Sequence, residues 1–133
     1  MTTNTPFVLV CDDNRAIAYS VVYMLESAGY RAQSVNSALD CVAIARKDRP
    51  QLIIMDIMMP GMDGATASGL MQDVPEIEGV PVILLSAMPE EDVRVKAEDA
   101  GAVGYLLKPY RKETLLGCVR QWVEDPAPLK HTA

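Results

Sequence analysis

Four short runs rich in Val, Ile and Leu constrain this chain most: FVLVC (7–11), LIIMD (52–56), VILLS (82–86) and VGYLL (103–107). Each is apolar at consecutive positions. A strand with one face in water alternates apolar and polar residues, whereas a strand of a parallel sheet covered on both faces is apolar throughout. A weaker fifth strand is RAQSV (31–35). Parallel neighbours need crossover connections, and the intervening segments carry the helical period. Ile17, Val21, Met24 and Ala28 mark the first stripe, and Ala38, Val42 and Ala45 the second. Val93, Ala97 and Ala100 mark the fourth; Leu115, Val119, Trp122 and Val123 mark the last, ended by Asp125-Pro126. The third crossover, 63–74, contains Gly64 and Gly69, runs into Pro75, and is inferred from the alternation around it. The expected fold is α/β: five parallel strands and five helices, joined by right-handed crossovers.

The 133 residues, half of them hydrophobic, suffice for one core without disulfides or structural metals. No window reaches the roughly 18 apolar residues of a membrane span, and the opening MTTNTPF lacks the basic flank and apolar run of a signal peptide, so a cytoplasmic protein is expected. Twelve basic against eighteen acidic residues give a net charge of −6, which argues against direct nucleic-acid binding. Cys11, Cys41 and Cys118 are widely spaced and unpaired in pattern, and read as buried, reduced thiols. His131 lies in the terminal DPAPLKHTA, read as a mobile tail, and is a poor candidate for a base or ligand.

In an open α/β sheet, ligands bind beyond the carboxyl ends of the strands. Here those ends are polar: Asp12 and Asp13 follow the first strand, Asp56 ends the third, Ser86 the fourth, and Lys108 follows the fifth. Carboxylates gathered at one edge raise each other's pKa unless a cation neutralises them. Oxygen-only ligands favour a hard ion, Mg2+ or Mn2+. An ammonium and a hydroxyl nearby suit the oxygens of a phosphoryl group. A carboxylate can itself be the nucleophile, forming an aspartyl phosphate, and Asp56 at the end of the most apolar central strand is the best placed. Taken singly, each residue has a plainer role: Asp12-Asp13 as a helix-capping pair, Asp56 as a turn acid, Ser86 as a strand-end hydroxyl, Lys108 as a solvated charge. Coincidence at four strand ends is the weaker explanation.

With these residues assembled, the chain resembles the receiver domain of bacterial two-component response regulators over about residues 6–124, in VCDDN, IIMDIMMPGMDG, LLSA and AGAVGYLLKPY. The resemblance is to single-domain, chemotaxis-regulator-like members. It implies a flavodoxin-like (βα)5 fold with strand order 2-1-3-4-5, no effector domain, and a short tail at 125–133. It further implies Asp56 as phosphoacceptor, Asp13 and Asp56 as direct Mg2+ ligands, Asp12 acting through water, and the backbone carbonyl of Met58 as the remaining protein ligand. Ser86 and Lys108 would bind phosphoryl oxygens, Lys108-Pro109 would be cis, and Ser86 with Tyr105 would form the switch. The implied partners are a sensor histidine kinase or histidine phosphotransfer protein, and a protein target on the face of the fourth helix, fifth strand and fifth helix. Oligomeric state is expected to be monomer or phosphorylation-dependent dimer.

Departures are small. Ser86 stands where Thr is commoner, Tyr110 where Phe is frequent, and Cys11 precedes the acidic pair. Met58 and Met88 occupy the positions that flank the attacking water in the family, and neither thioether activates water, so slow loss of the phosphoryl group is expected. A phosphorelay shuttle or a receiver excised from a hybrid kinase remains an alternative of the same class. A haloacid dehalogenase-like phosphatase needs a second Asp where Met58 stands. A dinucleotide-binding domain fails because Pro60-Gly61-Met62-Asp63-Gly64 is not G-x-G-x-x-G. The Met58, Met59 and Met62 cluster reads as loop packing rather than a soft-metal site.

Overall fold

The computed structural model describes residues 5–58 and 64–123, with Gly64, Ala65, Thr66 and Leu70 described by backbone alone. Elements alternate along the chain: β1 Phe7–Cys11, α1 Arg15–Ser27, β2 Arg31–Val35, α2 Ala38–Lys47 and β3 Leu52–Asp56, then α3 Gly64–Met71, β4 Val82–Ser86, α4 Glu90–Ala100, β5 Gly104–Leu107 and α5 Lys112–Trp122. The strands form one parallel sheet in the order β2-β1-β3-β4-β5, the flavodoxin-like arrangement expected.

The consecutive apolar positions have a direct explanation. Side chains on a strand alternate between faces, and both faces here are covered. Val8, Val10, Leu52, Ile54, Ile83 and Leu85 meet α1 and α5 through Ala18, Val21, Leu25, Leu115 and Val119. Phe7, Leu9, Cys11, Ile53, Met55, Val82 and Leu84 meet α2, α3 and α4 through Cys41, Ala45, Ala67, Val93 and Ala97. Edge strand β2 is only partly covered, with Arg31 and Gln33 exposed, which is why its sequence signal is weak.

Register places the site. Cys11 lies opposite Met55, Asp56 opposite Leu85, and Ser86 opposite Leu107, so the polar residues at these strand ends share one edge. Strand order reverses between β1 and β3, and this switch point opens a crevice at that edge.

Several expectations need correction. The buried line of α1 is Ala18, Val21 and Leu25, with Ile17 and Met24 only packed along its border. In α2 the buried residues are Cys41 and Ala45, with Ala38 and Val42 partly buried. Trp122, placed on the buried stripe of α5, is 44% exposed, and Leu116 is buried instead. The third helix stops at Met71, ahead of a turn, rather than at 74. β5 starts at Gly104, although the Val103 amide already donates to the Val82 carbonyl. Cys118 is half-buried, not buried like Cys11 and Cys41. Met59 to Asp63, Asp125-Pro126 and the tail with His131 lie outside the described residues. No described helix is long and apolar enough to cross a membrane.

Candidate functional site

The chain leaves β1 into the crevice as a turn built by Asp12 and Asn14. The Asp12 amide donates to the Val35 carbonyl at 3.1 Å, holding the residue inside the sheet edge. Its Oδ1 accepts from the Asn14 amide at 2.9 Å. Asn14 in turn caps α1, accepting from the Ile17 amide at 3.1 Å. Asp12-Asp13 is therefore not the capping pair; the cap is Asn14, and Asp12 Oδ2 is left without a hydrogen-bond partner.

Asp56 ends β3 at 6% exposure. Its Oδ1 accepts from the Met58 amide at 3.5 Å and lies 3.4 Å from Lys108 Nζ. Lys108 is positioned from the far side of the sheet: its amide donates to the Ser86 carbonyl at 2.8 Å, extending the β4–β5 ladder by one bond. The following Lys108–Pro109 peptide is cis, as expected. Ser86 is fully buried, and its hydroxyl oxygen accepts from the Met88 amide at 2.9 Å. With that acceptor position engaged, the hydroxyl hydrogen is the group left to offer a ligand.

One carboxylate oxygen from each of Asp12, Asp13 and Asp56 lies within 4.8 Å of the others, with Asp13 exposed at the mouth. Three carboxylates against one ammonium leave an excess of negative charge. Asp12 shows the strain: burial raises its pKa, and the Asp56 charge adds to this, while the Asn14 amide and Lys108 work in the opposite direction. Asp12 Oδ2 is buried without a hydrogen-bond partner, and Lys108 Nζ at 3.8 Å is beyond hydrogen-bond reach. An all-oxygen, over-acidic cluster with an unsatisfied buried oxygen fits a hard divalent cation.

Met58 and Met88 separate. The Met58 side chain is 62% exposed, whereas Met88 is half-buried against the core. Tyr105 packs its ring on the core edge, and its hydroxyl donates to Glu90 Oε2 on α4 at 2.9 Å. That bond holds the phenol protonated, raising its pKa. Burial, and then the charges of Asp12 and Asp56, raise the pKa of the Tyr110 hydroxyl. Beside Asp12, the Cys11 thiol donates to the Ser37 carbonyl at 3.4 Å; the neighbouring Cys41 and burial raise its pKa. Asn14 and Glu90 were not singled out beforehand. An Asn ahead of an apolar helix is a readable cap signal; nothing in the sequence links Glu90 to Tyr105.

Known proteins are similar to this chain in sequence and fold. Protein PilH of Pseudomonas aeruginosa is 35% identical over 109 residues, which cover 82% of this chain and 90% of that one. Transcriptional regulatory protein HprR of Escherichia coli K12 is 37% identical over 94% of this chain, which spans 55% of its length. Among solved structures, Vibrio cholerae chemotaxis protein CheY4 superposes with a TM-score of 0.84 at 28% identity, covering 89% of this chain and 98% of that one. The receiver domain of sensor histidine kinase PA1611 from Pseudomonas aeruginosa superposes with a TM-score of 0.81 at 29% identity, covering 89% and 97%, and carries a magnesium ion coordinated in its active-site cleft. The model of the response regulator receiver domain matches residues 8–120, and with the parallel 2-1-3-4-5 sheet and the acidic crevice at its edge, this chain belongs to that family.

Proposed function

We propose that the chain is a phosphorylation switch of a two-component or phosphorelay system, acting in the cytoplasm as a single receiver unit over residues 6–124 and accepting its phosphoryl group on Asp56. The observation that carries this reading is Lys108 Nζ 3.4 Å from Asp56 Oδ1 beside the cluster of Asp12, Asp13 and Asp56. The donor is a phosphohistidine of a sensor kinase or phosphotransfer protein. An Asp56 oxygen forms the new P–O bond while the P–N bond breaks, and the departing imidazole nitrogen is protonated from solvent. Lys108 offsets negative charge on the transferred oxygens, and the Ser86 hydroxyl donates to one of them. Asp13, Asp56 and the Met58 carbonyl would hold a Mg2+, with Asp12 acting through water, and the ion would supply charge neutralisation at the phosphoryl oxygens.

The switch follows from the same contacts. Drawing the Ser86 hydroxyl toward the phosphoryl group changes the space between β4 and β5, and Tyr105 gives up Glu90 to move inward. The altered face of α4, β5 and α5 then meets a protein target. This is a two-state element biased by new phosphoryl contacts.

Mass spectrometry after acetyl phosphate and Mg2+ tests the central reading. The wild type gains one phosphoryl group and Asp56→Asn gains none; equal gain by both, or none by either, overturns it. Decay is slow because neither Met58 nor Met88 orients water, and Met58→Asn is expected to lose the group several-fold faster. A phosphatase acting on external substrates needs an acid/base where Met58 presents an exposed thioether, and no observation favours that reading.

A further inference from the structure

We propose that Met58 is an oxidation site whose sulfoxide shortens the lifetime of the phosphoryl group on Asp56, an inference that rests on the phosphoacceptor reading above. The Met58 side chain is 62% exposed, while Met55 and Met71 are 0% and 2% exposed and Met24 and Met88 are half-buried against the core. Its own backbone amide donates to Asp56 Oδ1 at 3.5 Å, so the exposed residue sits two positions along the chain from the acceptor and its backbone touches the acceptor carboxylate.

A peroxide oxidises a thioether without prior deprotonation. The sulfur pair attacks one peroxide oxygen, the O–O bond breaks, an S–O bond forms and water leaves; sulfur loses two electrons and the peroxide gains them. The neighbouring thiols compete poorly. Cys11 and Cys41 are fully buried, so peroxide in solvent does not reach their sulfurs as it reaches the exposed thioether.

The chemical consequence at the site is specific. Thioether sulfur is a weak hydrogen-bond acceptor. The sulfoxide oxygen is a strong one, so oxidation introduces, two residues from the acceptor, a group able to hold a water near the phosphorylated carboxylate. Hydrolysis consumes that water, breaks the P–O bond to Asp56 and releases inorganic phosphate. Reduction of the sulfoxide by a methionine sulfoxide reductase restores the original state.

The test uses the full chain treated with hydrogen peroxide and then acetyl phosphate with Mg2+. Peptide mapping reads oxygen incorporation at Met58, and mass spectrometry follows decay of the phosphoryl group. Peroxide is expected to add one oxygen to Met58 ahead of Met55 and Met71, and to speed decay roughly three- to tenfold, the size of one net hydrogen bond. Met58→Leu, which lacks sulfur, is expected to decay at the same rate before and after peroxide. Met58→Gln, which carries a comparable acceptor oxygen, is expected to decay quickly without peroxide. Equal acceleration in Met58→Leu, or unchanged decay once Met58 is oxidised, overturns the inference. Failure of Asp56 to gain any phosphoryl mass overturns the phosphoacceptor reading as well; normal gain with decay indifferent to Met58 oxidation overturns this inference alone.

Discussion

Asp56 Oδ1 faces two donors, the Met58 amide and the Lys108 ammonium, while sharing a space of 4.8 Å with oxygens of Asp12 and Asp13. One ammonium does not balance three carboxylates, and the pKa of Asp12 is raised, first by burial and then by the Asp56 charge. Relief can come from a cation or from removal of a charge. Asp56→Asn is therefore expected to gain about 1 kcal/mol of stability in urea at pH 7 without divalent ions, from relieved repulsion. Adding Mg2+ is expected to raise the urea midpoint of the wild type more than that of the variant, because only a ligand that binds the native state stabilises it. Equal midpoints for both proteins at every Mg2+ concentration would count against the metal site. The strand-end residues Asp12, Asp13, Asp56, Ser86 and Lys108 were legible because polar groups closing apolar runs stand out locally. The Tyr105–Glu90 hydrogen bond was not, because it joins different elements through side chains with ordinary surface roles of their own.

Three of the helices carry their own start or stop. Asn14 and Ser37 cap α1 and α2 through their side-chain oxygens, and Gly101 ends α4 in the left-handed conformation at φ 74°, where a Cβ is disfavoured. At the end of α2, Asp48 pairs with Arg31 of β2 at 2.8 Å, and that hydrogen bond lowers the Asp48 pKa. A depressed carboxylate pKa means stability present above the unfolded value of 3.8 and lost as pH falls below it through the lower folded value. Asp48→Asn should therefore cost under about 1 kcal/mol near neutrality, since the pair is half-exposed, and the deficit should vanish toward low pH. A urea series across pH checks this, and a deficit that grows on acidification would refute it. Helix existence was readable from periodicity, but the phase of α1 was not. Ranking by size selects Ile17 and Met24, whereas the sheet takes Ala18 and Leu25, because a small residue at the contact line lets the helix approach closely.

At the scale of the whole molecule, a two-sided sheet carries the core, and its central strands should be the costliest to alter. Leu84 in β4 is fully buried against the α2–α3–α4 face, so Leu84→Ala should lose roughly 2–5 kcal/mol in chemical denaturation. Trp122, larger but 44% exposed at the end of α5, should cost no more than about 1 kcal/mol on truncation to Ala. A reversed ranking would mean the core is misplaced. The sequence alone determined the alternation of strands and helices, the parallel sense of the sheet and the polar residues at its ends, because each is written in the periodicity of a few neighbouring residues. Only tertiary structure decided how those ends meet. The adjacency of β1 and β3 brings Asp12 and Asp13 to Asp56, and the β4–β5 ladder carries Lys108 within 3.4 Å of it. Strand order, register and the reach of a side chain depend on packing between segments distant along the chain, which no local pattern encodes.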